Sequence, residues 1–389
     1  MRAVMRMRAL LVLGVGCSFR APAATIDASA PSPDDASPDA RAMIAPLEVQ
    51  WLGVQGFVLR RGHDAVMTAP LFTRQSEIDI GLGATITPDA SAIDSHLAGV
   101  PLDELRAVIT GHAHYDHLLD VPHVLDRAPA SVLVANLTAR HILAALAPDH
   151  PLHCDSFPDP IILDRDRVIA MDDPLASHTD YTNCPMQAPA GAPLAGTWLA
   201  LPGGRARALA FCSMHPAQIG GIYHFAEGSI DSDLCDVPKP ASGWLEGQTL
   251  AYLIDFLDDH GSPVFRVYYQ DAPTNAPLGH VPETFLNDKP VDLALLNVGS
   301  YDVVANQPQD IIANVRPRFA ISGHWEDFFQ PLDQPLAPLP FLDVQTYVTR
   351  ADDAMPGPAD PPLVVDGEPT TARHVLAHPQ LDVIVSPAP

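Results

Sequence analysis

The stretch Gly111-His112-Ala113-His114-Tyr115-Asp116-His117-Leu118-Leu119-Asp120 sets three histidines and an aspartate within the six positions from 112 to 117. Imidazole nitrogens and carboxylate oxygens suit Zn²⁺ and similar borderline cations. A hydrolytic site needs about three such protein ligands, with one position left for water. A lone His-x-His is an ordinary surface turn, but His112, His114, Asp116 and His117 together read as a metal site. Just upstream, Leu105-Arg106-Ala107-Val108-Ile109-Thr110 becomes apolar and β-branched, which predicts a strand, and Leu118-Leu119-Asp120-Val121 opens a helical pattern. The donors therefore sit where a strand gives way to a helix.

His-x-His-x-Asp-His after a strand resembles the signature of the metallo-β-lactamase fold, which serves many hydrolases and some redox enzymes. The resemblance implies an α/β, αββα sandwich, with two mixed β-sheets flanked by helices, and three further metal ligands downstream. Leu47 to Leu59 alternates with period two until its glycines interrupt, and Arg61-Gly62-His63-Asp64 turns the chain into a returning strand, Ala65 to Thr68. This opening resembles the first hairpin of the branch containing N-acyl-phosphatidylethanolamine phospholipase D and ascorbate-phosphate lactonase. That branch tends to carry Asp-Pro where this chain has Ala69-Pro70, which removes a carboxylate that would orient a ligand histidine.

The remaining ligand candidates are strand-end residues. Thr197 to Leu201 and Arg207 to His215 read as a hairpin running into His215; His224, on Ile222-Tyr223-His224-Phe225, is the competitor and reads better as pocket wall. Thr249 to Phe256 and Val264 to Asp271 form another hairpin. Asp271 ends its second strand, whereas Asp255 lies inside the other, and a turn role before Ala272-Pro273 is the alternative for Asp271. After a strand at 291–298 and a helix at 308–315, Arg318 to Gly323 forms a last strand ending in His324.

By resemblance, one metal takes His112, His114 and His215, a second takes Asp116, His117 and His324, and Asp271 spans both. The cofactor expected is two Zn²⁺, with iron or manganese as alternatives. Two cations would bring a water between them toward deprotonation, and Asp116 or a metal-bound water would pass the proton to the leaving group. The expected function is a dinuclear metal-dependent hydrolase using a metal-bound hydroxide on an ester, lactone, amide or phosphodiester bond of a small or lipid-like substrate. A β-lactamase-type hydrolase is an alternative, although Cys212, three residues before His215, does not take the position of the cysteine ligand found in some β-lactamases. Redox members of the fold typically carry Glu where this chain has His114, and a flavin domain besides. A non-catalytic metal-binding lipoprotein is the remaining alternative.

The chain begins with Arg2, Arg6 and Arg8 ahead of a short apolar run, Ala9 to Gly16, too short to remain as a membrane span. Residues 1–16 therefore read as a signal peptide. Gly16-Cys17 resembles the lipobox of bacterial lipoproteins, with Gly14 where leucine is usual, so Cys17 is the lipidation candidate. Residues 17–45, rich in Ala, Pro, Asp and Ser, read as a disordered tether. The expected location is exported, in the bacterial periplasm or cell envelope, anchored by lipid. The catalytic domain spans 46–330 with an insertion at about 147–195, and 331–389 is a Pro-rich C-terminal extension with strands at 344–348 and 381–385.

A formal charge of −25 opposes attraction to nucleic acid or anionic lipid. The expected partner is a small-molecule substrate, with membrane contact only through the anchor. In an oxidising compartment Cys154, Cys184, Cys212 and Cys235 should pair, as Cys154 with Cys184 and Cys212 with Cys235, with buried free thiols as the alternative. Residues 71–100 read as loop, His63 and His96 as solvated loop residues, and His123 and His141 as helix-surface residues.

Overall fold

The computed structural model describes residues 44–149, 161–218 and 222–388. The signal segment, nearly all of the tether, Cys17 and Cys154 lie outside that range. No helix among the described residues is long and apolar enough to cross a membrane.

Two sheets carry the fold. The first has nine strands in the order β15 (Glu368–Thr370), β14 (Leu363–Val365), β17 (Asp382–Val385), β1 (Leu47–Gly53), β2 (Gly56–Arg61), β3 (Asp64–Thr68), β4 (Leu105–Ile109), β5 (Val132–Ala135) and β6 (Val168–Ala170). The second runs β16 (His374–Leu376), β13 (Phe319–Gly323), β12 (Leu293–Asn297), β11 (Pro263–Gln270), β10 (Leu250–Leu257), β9 (Ala206–Cys212) and β7 (Thr179–Asp180), with β8 (Leu199–Ala200) beside β9. Both are mixed. β1 to β3 pair antiparallel and β3 to β6 parallel, while β9 to β11 pair antiparallel and β11, β12, β13 and β16 parallel.

Alternation along the strands divides the apolar residues among three main layers. Tyr252, Ile254 and Phe256 of β10 meet Ala107 and Ile109 of β4 and Val134 of β5 between the sheets. Val108 and Leu133 face outward from the first sheet onto helices Tyr115–Leu118, Val121–Arg127 and Leu137–Leu143. Ala251 and Leu253 of β10, with Ala294 and Leu296 of β12, face outward from the second sheet onto helices Glu283–Asp288, Gln309–Val315 and Val344–Ala354. Helix, sheet, sheet, helix is the αββα sandwich that the motif implied.

Several expectations need correction. The run from Leu47 to Leu59 is two strands: the chain reverses at Val54, whose φ of 48° follows Gly53 at 99°. Residues 71–100 contain two short helices, Glu77–Gly81 and Ala90–Leu97, started by the side chains of Ser76 and Asp89 accepting the amides of Asp79 and Ala92. His96 is exposed as expected but sits on the second of these helices. Residues 344–348 begin a helix, N-capped by Asp343, that buries Tyr347 and Ala351 one turn apart, so packing overrides β-branched content.

The segment beyond 330 is no appendage. β17 pairs with β1 and β16 with β13, so it completes both sheets. Likewise 147–195 is not all insertion, because β6 pairs with β5 and β7 with β9. That β7–β9 pairing explains the cysteines. It brings Cys184 beside Cys212, and these two form a disulfide with Cα atoms 6.5 Å apart, in place of the expected Cys154–Cys184 and Cys212–Cys235 pairs. Cys235 is also disulfide-bonded. His123 is buried, 3.3 Å from Asp94, because its helix packs on Ala90–Leu97; His141 is partly buried against Asp233.

Candidate metal centre

The parallel pairings place the C-terminal ends of β4, β9, β11 and β13 at one edge, where the two sheets meet: the amide of Leu250, first residue of β10, donates to the Gly111 carbonyl just past β4 at 2.7 Å. All seven ligand candidates gather there. Their donor atoms form three overlapping triads, His112–His114–His215, His112–His117–Asp271 and Asp116–His117–His324, each with ligand atoms within 4.8 Å of one another. Asp271 and Asp116 fall on different sides of His117, the first shared with His112 and the second with His324. His224 joins none of these groups, and Asp255 is spent on Arg266 and Arg207 in the core.

Gly111 sets the approach of β4 to β11. A Cβ built there would lie 2.1 Å from Asp271 Oδ1 and 2.6 Å from the Leu250 carbonyl, so only glycine fits. Its amide donates to Asp271 Oδ2 at 2.5 Å, while Asp271 Oδ1 lies 3.0 Å from His112 Nδ1 and Oδ2 lies 3.8 Å from His117 Nδ1. Asn297 Nδ2 donates to the Asp271 carbonyl at 2.6 Å and fixes the residue from its backbone side. Asp116 Oδ2 sits 3.3 Å from both His117 Nε2 and His324 Nε2. On the other side, His215 Nδ1 lies 2.8 Å from the Pro216 carbonyl and His114 Nε2 lies 3.4 Å from the Ala226 carbonyl.

The turn at the start of the fold holds the far end of the site. The Val54 carbonyl accepts the His324 amide at 2.7 Å, the Val54 amide donates to Glu326 Oε1 at 2.6 Å, and Gln55 Nε2 donates to the Gln270 carbonyl next to Asp271 at 2.9 Å. His324 has φ 56°, a left-handed conformation unusual for a residue with a side chain, and these contacts over-determine it. Nothing in the sequence marks Val54, Gln55, Glu326 or Asn297, because each acts through a hydrogen bond involving the backbone of a residue distant in sequence and not through metal-donor chemistry. The one visible trace was the glycine pair at 53 and 56.

The donor set fits a metal. His112 Nε2, both nitrogens of His117 and His324 Nδ1 are buried without a hydrogen-bond partner. A buried polar atom left unpaired costs about 1–3 kcal/mol, so such a concentration points to a cation as the missing partner. Burial holds the imidazoles of His112 and His114 well below their usual pKa, and His215 is lowered by the same cause. Burial also lowers His117, to about 3, against the pull of Asp116. All four are therefore neutral at pH 7, the ligating form. Burial alone would raise Asp116, but His117 and His324 beside it hold it well below the carboxylate range. Asp271 is raised by burial, against His117 and the Gly111 amide.

A second constellation of catalytic type lies outside the centre. His374 Nε2 is 3.0 Å from Ser322 Oγ and its Nδ1 is 2.9 Å from Asp352. Ser322, however, is wholly buried within β13 and also meets Tyr347 Oη at 3.1 Å. No substrate reaches it, and the chain of contacts ties β13 to the helix Val344–Ala354 two residues before His324.

No family model and no curated protein matches the sequence. Among solved structures the chain is similar to the metallo-β-lactamase fold protein YhfI from Bacillus subtilis, with 10% identity and a TM-score of 0.41 over 87% of this chain and 98% of that one. It is similar to Igni18, a metallo hydrolase from Ignicoccus hospitalis, with 12% identity and a TM-score of 0.44 over 87% and 98%. It is also similar to Zn²⁺-bound PqqB from Methylobacterium extorquens, with 10% identity and a TM-score of 0.39 over 84% and 86%. The branch suggested by the first hairpin is not among these three. With its two facing mixed sheets, their helical outer layers and the His-x-His-x-Asp-His turn leaving β4, the chain has the metallo-β-lactamase fold.

Proposed function

We propose that this protein is a dinuclear metal-dependent hydrolase. The observation that carries the reading is the overlap of the three triads: His112 and His117 each belong to two of them, and His112, His114 and His215 can hold one cation while Asp116, His117 and His324 hold another, with Asp271 reaching toward both. Two bound cations would supply acidity to a water molecule and polarise the scissile oxygen. The protein's own part is to keep the imidazoles neutral by burial, to orient His112 through Asp271, and to set His324 by the clasp from Val54. Asp116, 3.3 Å from both His117 and His324 and 8% exposed, is placed to pass a proton during departure of the leaving group.

Turnover by metal-loaded protein, measured on matched carboxylic ester, lactone, amide and phosphodiester substrates before and after chelation, tests the reading. Chelator-sensitive turnover of at least one class is expected. Two metals bound with no turnover of any class would replace it with a non-catalytic metal protein. We also propose export with lipid attachment at Cys17, supported by the basic, apolar and small-residue order of the first 17 positions. The mass of the mature N-terminus in the native host tests this, and an intact Met1 would refute it.

A further inference from the structure

A cavity of about 430 Å³ opens at the C-terminal ends of β5 and β6, and no part of the proposed metal chemistry uses it. Its position follows from the sheet. β4, β5 and β6 are parallel, so Asn136 after β5 and Asp172 after β6 emerge on the same edge as His112 to His117. Two chain segments join the cavity to the centre. The Ala226 carbonyl touches His114 Nε2, and Ser229, three residues on, lines the cavity. Gln248, also in the lining, donates to the carbonyl of Ser213, two residues before His215, at 3.0 Å. Three residues span at most about 10 Å, so Ser229 on the cavity wall lies within that reach of Ala226, whose carbonyl touches His114.

The lining is rich in acceptors, with the His141 imidazole and the hydroxyls of Thr138 and Ser229 among them. Asp172 is only 7% exposed, and its Oδ1 accepts the Leu137 amide at 2.7 Å. Asp231, the other carboxylate of the wall, accepts from Ser229 Oγ, and Thr138 Oγ1 accepts from the Ile230 amide. Gln248 spends its Nε2 on the carbonyls of Ser213 and Thr249, leaving its oxygen as the remaining polar atom. No lysine or arginine lines the space. The neighbouring Arg140 donates to Asp173 instead, at 3.1 Å, and His141 Nδ1 meets Asp233. Leu137 and Ile230 add apolar wall.

Burial raises the Asp172 carboxyl, whose partners include the Leu137 amide and, through charge, Arg140, so a cation placed in the cavity would favour its ionised form. Among the described residues the groups of three or more His, Cys, Asp or Glu ligands are the three triads at the centre, and the cavity wall holds none of them. We propose that the cavity binds the protonated amine of an organic substrate, with Asp172 as its counterion and the apolar wall against its carbon chain. The volume suits a small molecule or the head of a larger one. The substrates would then carry an ammonium group on the side of the cleaved bond that faces this cavity. That last step rests on the hydrolase reading; the binding of the amine does not.

The test is calorimetric titration of the full chain, metal-loaded and after EDTA treatment, with n-pentylammonium chloride and with 1-pentanol as its neutral counterpart. The comparison is repeated in Asp172→Asn, which keeps the oxygen that caps Leu137. The amine should bind at least tenfold more tightly than the alcohol with or without metal. Asp172→Asn should lower amine affinity at least tenfold and leave alcohol affinity unchanged. Equal binding of amine and alcohol, parent-like amine binding by the variant, or amine binding that vanishes with the metals would each overturn the proposal. Metal-independent amine binding in a protein that hydrolyses nothing would support the site while removing the hydrolase reading.

Discussion

Replacing Gly111 with alanine should disable the centre without touching any ligand. The added Cβ would meet Asp271 Oδ1 at 2.1 Å, Asp271 Cγ at 2.5 Å and the Leu250 carbonyl at 2.6 Å. Side-chain rotation cannot relieve the last contact, because the Leu250 carbonyl is backbone and the Leu250 amide is bonded to Gly111. The end of β4 must therefore retreat from β10 and β11. Overpacking of this kind costs about 1–3 kcal/mol. Losing the hydrogen bond from the Gly111 amide to a carboxylate costs about 1.5–3 kcal/mol more. The total is about 2.5–6 kcal/mol, and at roughly 2 °C per kcal/mol for a domain of this size the Tm should fall by about 5–12 °C. Metal binding should fail as well, since the retreat separates Asp271 from His112. Gly81→Ala is the control: nothing lies within 4 Å of its added Cβ, so it should be neutral or slightly stabilising. Scanning calorimetry with elemental analysis reads both effects. A Gly111→Ala protein with parental Tm and parental metal content would refute the reasoning.

The other expectations follow from separate parts of the molecule. His324→Ala should lower affinity for one of two metals by at least about 100-fold and cut turnover, yet keep a cooperative thermal transition, because β13 is held by β12 and β16; loss of cooperative unfolding would count against it. Burial raises the Asp172 carboxyl to about 7 in the folded chain, above its unfolded value near 4, so the stability associated with its protonated form is present at low pH and lost as pH rises toward 7. Asp172→Asn should accordingly leave urea stability unchanged at pH 4 and raise it at pH 8, by up to about 4 kcal/mol, and no gain at pH 8 would contradict this. Opening the Cys184–Cys212 bond, whose cysteines are 28 residues apart, should cost about 3.5 kcal/mol in urea titrations of Cys184→Ser. Equal midpoints for parent and variant would argue against a stabilising role.

The candidate metal ligands are legible because they repeat one local pattern, an apolar run ending in a histidine or aspartate, and because imidazole and carboxylate declare their chemistry by type. The layer architecture followed from alternation, as in β10, whose Tyr252, Ile254 and Phe256 face one way and Ala251 and Leu253 the other. Contacts made by backbone left no such trace. Val54 positions His324, 270 residues away, through its carbonyl and amide, a role any residue tolerating φ 48° could fill. Sequence order does not reveal the cysteine pairing, because the two-residue strand β7 decides which cysteine faces Cys212. The helix at Val344–Ala354 is not legible in the sequence, because its β-branched start resembles a strand and the packing of Tyr347 and Ala351 against the second sheet decides otherwise. Gly111 was visible in the quoted stretch, but only Asp271 and Leu250 explain why nothing larger can stand there.

The central claim is that this edge of the sandwich holds two cations. Elemental analysis of purified, folded protein after reconstitution tests it most directly, run beside His112→Ala and Asp271→Ala. Two equivalents of metal per chain are predicted for the parent, zinc foremost, and fewer for both variants. A well-folded parent that retains almost no metal, or variants that retain the full complement, would contradict it.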